Sequence, residues 1–253
     1  MKKTSLEDLH REHRPDAIEA RLRRSAASEN VSDAVLGAID GCVTTFAVVS
    51  GAIGAEFPVA VALILGFANL VSDGFSMAVS NYESIRAQRE FVDDVRRMEQ
   101  EHIARIPEGE REEIRQIFRA KGFEGAQLEQ IVDTICSDER LWVDTMLVEE
   151  HGLQKDGGSP WKAALTTFFA FLSAGAVPLL PLFFNALPVQ QRFILSTVMA
   201  AVVFFLIGML KSLVFTRPLL RSGLSTLLTG GTAAALSWLT GYLLRTLIGV
   251  ASP

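Results

Sequence analysis

Five long apolar stretches constrain the fold of this chain more than any other feature. Each is long enough to cross about 30 Å of hydrocarbon as a helix that rises about 1.5 Å per residue. Charged residues make up 21% of the chain and concentrate outside these stretches, in 1–33 and 83–160. The sequence therefore predicts an all-α membrane protein with five transmembrane helices and a polar, helical insert between the second and the third. The stretches lie at 34–55, 58–82, 161–186, 193–215 and 223–249.

The same block pattern predicts four segments. An N-terminal segment is expected at 1–33, transmembrane helices 1 and 2 at 34–82, a helical domain at 83–160, and transmembrane helices 3 to 5 at 161–253. The N-terminal segment shows no short apolar run followed by a small-residue cleavage site. The first span is therefore expected to act as the insertion signal.

Basic residues lie on one side of the first span. The turn that follows this span, 54–57, carries no lysine or arginine. Because basic residues mark cytoplasmic loops, we expect the N-terminus and the insert in the cytoplasm and the C-terminus on the far side. This orientation fits a bacterial-type inner membrane and leaves an organelle membrane open. The basic residues that precede the span are Arg11, Arg14, Arg21, Arg23 and Arg24.

Ionisable side chains interrupt the first two apolar stretches. Asp40 lies in the middle of the first, and Asp73 and Met77 lie one helical turn apart in the second. An ionisable group at bilayer depth costs a few kcal/mol and usually marks a functional site. Carboxylates are hard ligands and a thioether is a soft one, so the set indicates a path for ferrous iron or a neighbouring divalent metal. The alternative is that each aspartate bonds a neighbouring helix and that Met77 only packs.

Four side chains of the second stretch recur every fourth residue and so share one helix face: Asn69, Asp73, Met77 and Asn81. Glycines in the first two stretches allow close helix approach. They fit a pocket between the first two spans around Asp40, and they fit ordinary tight packing equally well.

The insert is expected to hold four helical segments: a continuation of the second span to 106, then 108–121, 125–136 and 138–151. Gly122 and Gly152 suit helix C-termini. A long arm that projects beyond the bilayer needs a partner surface, and an equivalent arm of a second copy is the simplest one. We therefore expect a homodimer.

Potential ligands in the insert come in pairs spaced three or four residues apart, which places each pair on one helix face. If these faces point inward, they form a carboxylate-rich site with one imidazole and one thioether, which suits iron, manganese, cobalt or zinc. The alternative is that they are solvated helix faces with basic neighbours. The pairs are Glu99 with His102, Glu110 with Glu113, and Met146 with Glu150.

Motifs that a known family shares follow one another in matching order at 33–41, 76–78, 142–150, 175–181 and 230–235. Through them the chain resembles the vacuolar iron transporter family of divalent iron and manganese exporters. The resemblance covers nearly everything after Ser32. It implies a dimeric five-span protein that moves ferrous iron out of the cytosol in exchange for protons, with a cytosolic helical domain that gathers metal first.

The resemblance also implies roles for single residues. Asp40 resembles the family's membrane carboxylate, and Met77 its membrane thioether. The cytosolic metal ligands implied by the resemblance are Glu110 and Glu113, Met146 and Glu150, and, as the pair on the first cytosolic helix, Glu99 and His102.

Three positions depart from the family pattern. His102 stands in place of a glutamate, Leu147 in place of a second methionine, and Asn69 in place of a glutamate eight residues before Met77. Asp73 lies one turn from Asn69 on the same face, so we hypothesise that it restores the missing charge. The other two changes leave manganese as open a candidate as iron.

Other classes of function fit the sequence less well than transport. An iron-oxidising enzyme of the ferritin kind needs two ExxH motifs, whereas the insert sequence holds one, Glu99 to His102. A metal-sensing protein or an adaptor without transport leaves Asp40 and Asp73 unexplained. No enzymatic activity, prosthetic group or nucleic-acid partner is expected. The expected partners are divalent metal ions, among them zinc and cobalt in the insert, together with protons, the lipid bilayer and a second copy.

Overall fold

The computed structural model describes residues 6–22, 27–154, 158–215 and 218–248, and within them all regular structure is helical. The chain divides into two compact units. We call Met1–Tyr82 with Pro160–Pro253 the membrane unit, and Glu83–Ser159 the insert. In chain order the α-helices are α1 (Leu6–Glu12), α2 (Pro15–Leu22), α3 (Ala27–Gly54), α4 (Val59–Arg105), α5 (Pro107–Ala120), α6 (Gly125–Cys136), α7 (Glu139–Glu149), α8 (Pro160–Ala176), α9 (Val189–Phe215) and α10 (Leu219–Ile248).

Five helices are long and apolar enough to cross a membrane: α3, α4, α8 with the residues that follow it, α9 and α10. This confirms the predicted all-helical fold with five candidate transmembrane helices. The third span differs in detail, because its last part, Val177–Phe183, is a 3-10 helix. Pro181 lacks the N–H that would bond the carbonyl of Pro178. The hydroxyl of Ser196 donates to that carbonyl instead, at 2.6 Å, which ties α9 to this segment.

Helix α3 lies at the centre of the membrane unit and packs against α8, α9 and α10. Glycines bring its backbone close to α8. A Cβ on Gly37 would lie 2.3 Å from the carbonyl oxygen of Thr167, and one on Gly41 would lie 2.3 Å from that of Phe171. No side chain fits at these distances. The structure therefore assigns both glycines to tight packing against the third span.

Helix α4 contacts α8 and the 3-10 segment through side chains. A Cβ on Gly74 would lie 3.1 Å from the ring of Phe171, and one on Gly66 would lie 2.6 Å from the end of the Leu179 side chain. Phe171 and Leu179 are fully buried in the same apolar cluster. In this part of the core, large side chains of α8 and the 3-10 segment pack over glycines of α4.

The insert has its own apolar core. The helices α5, α6 and α7 lie within two residues of the expected positions. Pro107 opens α5, where its missing N–H needs no partner, and Asp138 caps α7 by accepting from the N–H groups of Arg140 and Leu141. The buried residues of the main cluster are Ile114, Leu128, Val132, Ile135, Trp142 and Met146.

Candidate metal centres

One face of α4 changes from apolar to ionisable inside the insert. Val92, Val95, Glu99 and His102 follow one another at steps of three, four and three residues, so they share a helix face. Val92 and Val95 are buried in a cluster with residues of α7. Glu99, on the same face, keeps only 2% of its surface exposed. Packing of the valine face therefore carries the Glu99 carboxyl group into the protein interior.

Helix α5 brings a second buried carboxyl group to this place. Glu110 lies in the first turn after Pro107 and is 2% exposed. Its Oε1 lies 3.3 Å from Nδ1 of His102. The turn between α4 and α5 thus joins a carboxylate and an imidazole that are both close to Glu99.

The end of α7 supplies the third side of the site. Gly152 has a φ of 64°, in the left-handed region that favours glycine. The N–H of Leu153, the residue after this glycine, donates to the carbonyl of Leu147 at 2.8 Å, so the chain turns back onto the end of α7. Leu153 also packs against the cluster that contains Leu147. This turn holds His151 so that its Nε2 lies 2.9 Å from Oε1 of Glu99.

The side chains form two sets of donors that share Glu99. In each set the potential ligand atoms all lie within 4.8 Å of one another. One carboxylate oxygen of Glu99 and one of Glu110 are buried without a hydrogen-bond partner. A buried oxygen of this kind is costly unless a cation or a proton neutralises it, so the donors fit a divalent metal. The sets are Glu99, Glu150 and His151, and Glu99, His102 and Glu110.

Two carboxyl groups of this site, those of Glu110 and Glu150, resist ionisation. Burial, and then the charges of Glu113 and Glu99, raise the pKa of Glu110 to about 7, against a smaller opposing effect of His102. Burial and then the charge of Glu113 also raise the pKa of Glu150. A divalent cation placed among these groups would remove the repulsion between them.

Other insert carboxylates are neutralised by arginine, in contrast to this cluster. Arg96 pairs with Asp144 at 2.9 Å, and Arg115 with Glu129 at 2.7 Å. In the part of the insert that the structure describes, no arginine or lysine pairs with Glu99 or Glu110. The basic neighbours in the sequence therefore do not neutralise the site.

Two predicted ligands of the insert differ in their surroundings. Glu113 is exposed, yet its charge acts on both Glu110 and Glu150, so it lies at the rim of the site. Met146 is fully buried in the apolar core beside Trp142 and Ile114. Its role as a ligand stays a prediction.

His151 is not among the ligands predicted from the sequence. The signal that points to it is its position next to Glu150, a predicted ligand.

The structure brings Asp40 and Asp73 together in the membrane unit. Both are partly buried, and their carboxylates lie close enough to interact electrostatically across α3 and α4. Met77, one turn further along α4, packs against the cluster that contains Phe171 and Leu70. The carboxylate pair is thus present, and Met77 has apolar neighbours.

The asparagines of the same α4 face have separate surroundings. The side-chain nitrogen of Asn81 donates to Asp33 at 2.9 Å and to Thr167 at 2.8 Å. That of Asn69 is buried without a partner. Asn81 is therefore a structural tie between helices.

Comparison with known proteins extends the similarity over most of the chain. The model of the VIT family matches residues 31–242, which include both spanning aspartates and the whole insert. The chain belongs to the VIT family. A vacuolar iron transporter of Toxoplasma gondii is 30% identical over 96% of this chain and 82% of its own length. One of Centaurea cyanus is 30% identical over 83% of this chain and 85% of its own length, and vacuolar iron transporter 1 of Arabidopsis thaliana is 28% identical over 83% and 84%.

Membership of the VIT family confirms the resemblance seen in the sequence and indicates metal transport across a membrane. The names of these relatives place them at a vacuole, so the bacterial-type inner membrane expected for this chain stays a prediction. Manganese as cargo, proton exchange and the homodimer also stay predictions.

Proposed function

We propose that this protein exports ferrous iron or manganese from the cytosol in exchange for protons. The observation that carries the proposal is the carboxylate pair Asp40 and Asp73 within apolar spanning helices. Two like charges at that depth repel each other and are poorly solvated, so a cation or a proton is needed to stabilise them. The names of the relatives support iron as cargo.

The insert collects the metal in this proposal. Glu99 and Glu110 each offer a buried oxygen without a partner, and Glu150 lies beside Glu99. A bound divalent cation replaces the repulsion between these carboxylates by attraction. Metal binding therefore offsets the cost of holding the groups together in the insert. It requires the insert to face the cytosol, as the basic residues before the first span favour.

The membrane carboxylates then pass the metal onward. Asp40 and Asp73 supply hard oxygens, and Met77 supplies a soft sulfur that favours ferrous iron over magnesium or calcium. A proton that enters from the far side neutralises an aspartate and weakens its hold on the metal. Proton and metal thus compete for one group, which is the basis of exchange. We further infer a homodimer in a bacterial-type inner membrane.

Flux into proteoliposomes tests the proposal. Ferrous iron and manganese uptake would be measured with and without an imposed pH gradient, for the wild type, Asp40→Ala and Met77→Ala. Met199→Ala removes a methionine from α9 and serves as the control. We expect flux that depends on the pH gradient, loss of at least about 90% of it in Asp40→Ala, and little change in Met199→Ala. Flux indifferent to the gradient would refute exchange, and absence of flux for both metals would refute transport.

A further inference from the structure

Two of the four histidines in the sequence lie in the insert site, and each belongs to a different donor set around Glu99. His102 approaches Glu110, whereas His151 approaches Glu99 itself. The other two, His10 and His13, lie in the N-terminal part of the chain. Histidine is therefore concentrated where the carboxylates are.

The contacts of His151 fit a ligand. Its Nε2 lies 2.9 Å from Oε1 of Glu99 and 3.8 Å from Oε2 of Glu150, so one ring nitrogen faces two carboxylates. The side chain is 25% exposed, which leaves it open to an incoming ion. The second oxygen of Glu99 is buried and has no partner. The imidazole nitrogen of His151 and the Glu99 carboxylate, which keeps one oxygen without a partner, therefore lie together as two potential metal donors.

Imidazole changes which metal such a site prefers. Sites of carboxylate oxygen alone suit manganese and magnesium, while imidazole nitrogen suits zinc and the later first-row metals. Each donor set here holds two carboxylates and one imidazole. We propose that His151 is a metal ligand and that, together with His102, it makes the insert bind zinc or cobalt in preference to manganese. This inference rests on the proposed role of the insert as a metal-collecting domain.

A purely structural role for His151 makes a different prediction. If its ring only orients Glu99 by a hydrogen bond, glutamine should replace it, because the glutamine amide can donate the same bond. All metals would then weaken alike in His151→Ala. If His151 binds the metal through nitrogen, glutamine should fail, and zinc should weaken more than manganese.

Binding to the full chain in lipid nanodiscs separates these cases. Zn²⁺ and Mn²⁺ affinities would be measured by competition with a fluorescent chelator for the wild type, His151→Ala and His151→Gln, with His13→Ala as the control. We expect at least a tenfold weaker Zn²⁺ affinity in both His151 variants and less than about a threefold change for Mn²⁺. Equal weakening of the two metals, or wild-type Zn²⁺ affinity in His151→Gln, would overturn the inference.

X-ray absorption of bound zinc gives a second readout. The four histidines are His10, His13, His102 and His151, so imidazole scattering does not come from the membrane aspartates. It should decrease in His151→Gln and persist in His13→Ala, and unchanged scattering in His151→Gln would overturn the inference.

The two proposals fail in distinguishable ways. A wild-type insert that binds neither metal would refute the collecting role and this inference together. Absent proteoliposome flux with intact zinc preference would refute only transport.

Discussion

Asn81 and Asp33 are joined by a hydrogen bond of 2.9 Å between α4 and α3, although they lie 48 positions apart in the chain. The same asparagine nitrogen donates to Thr167 of α8 at 2.8 Å. One residue further, the rings of Tyr82 and Trp161 lie 5.0 Å apart. The first three spans therefore meet at one polar contact with an aromatic pair beside it.

Loss of this contact should destabilise the membrane unit. Asn81→Ala removes both hydrogen bonds and leaves Asp33 without this donor. Interhelical bonds in membranes contribute about 0.6 to 2 kcal/mol each, so we expect a loss of about 1 to 3 kcal/mol. Thermal unfolding of the purified protein in detergent measures it. Thr232→Ala, whose hydroxyl bonds only the preceding turn of its own helix, should change little. Equal melting temperatures for Asn81→Ala and the wild type would contradict the assignment.

Asp73 should carry charge that Asn69 lacks. Because Asp73 lies close enough to Asp40 to interact with it electrostatically, Asp73→Asn should lower metal flux at least about tenfold by removing half of the anionic pair. Asn69→Glu, one turn away, should restore part of the flux in the Asp73→Asn background. Proteoliposome uptake measures both. If Asp73→Asn transports normally while Asp40→Asn is inactive, Asp73 does not compensate for Asn69.

The metal-free insert should be less stable at pH 8 than at pH 5. The pKa of Glu110 is raised from 4.5 to about 7, so between these values the folded state binds more protons than the unfolded state. Its unfolding free energy therefore falls as the pH rises through 7. Glu110→Gln removes the buried charge and should stabilise the metal-free insert at pH 8 by up to about 3 kcal/mol. Hydrogen exchange of α5 amides in the presence of a chelator measures this.

Glu112 is the control for Glu110, because its pKa is shifted in the opposite direction. A hydrogen bond from Arg115 lowers the pKa of Glu112, so Glu112→Gln removes a favourable charge and should not stabilise the insert. Glu110→Gln should also weaken Zn²⁺ binding, since it replaces a ligand oxygen. A Glu110→Gln protein that exchanges faster than the wild type at pH 8 would show that its charge is already compensated without metal.

Where the first and third spans meet, even one methyl group should be too large. Gly37→Ala places a Cβ 2.3 Å from the carbonyl oxygen of Thr167, which is far inside van der Waals contact. Helices α3 and α8 must therefore separate. We expect a loss of about 1 to 3 kcal/mol, measured by thermal unfolding in detergent. Gly231→Ala is the matched control, because its Cβ meets nothing within 4 Å and alanine favours a helix. If both variants melt alike, the close approach is not present in the bilayer protein.

The sequence predicted the spans well because membrane thickness sets a length that apolar stretches reveal directly. The helix against which a small residue packs is harder to predict. A glycine such as Gly41 indicates that another helix approaches closely, but it does not indicate which one. The 3-10 end of the third span was not predicted, because the length of an apolar stretch does not distinguish a 3-10 segment from an α-helix.

The insert site shows the same limit. Glu99 and Glu110 were found from helix spacing, which predicts shared faces. His151 lies beyond the end of α7, where helix spacing no longer applies. The position of His151 depends on the turn at Gly152. That turn is held in place by the packing of Leu153 against the apolar cluster that contains Leu147.

The backbone contacts at Gly37 and Gly41 restrict how this protein can move. In the transport proposed above, alternating access requires Asp40 to face first one side of the membrane and then the other. Because α3 and α8 touch backbone to backbone, they cannot slide past each other without a steric clash, and they are expected to travel as one rigid body. Helix α4 meets α8 through the deformable side chains of Phe171 and Leu179 and is tied to α3 and α8 by the hydrogen bonds of Asn81. It is therefore the helix expected to rock, with the Asn81 contact as its pivot. The gate would then be the surface that carries Asp73.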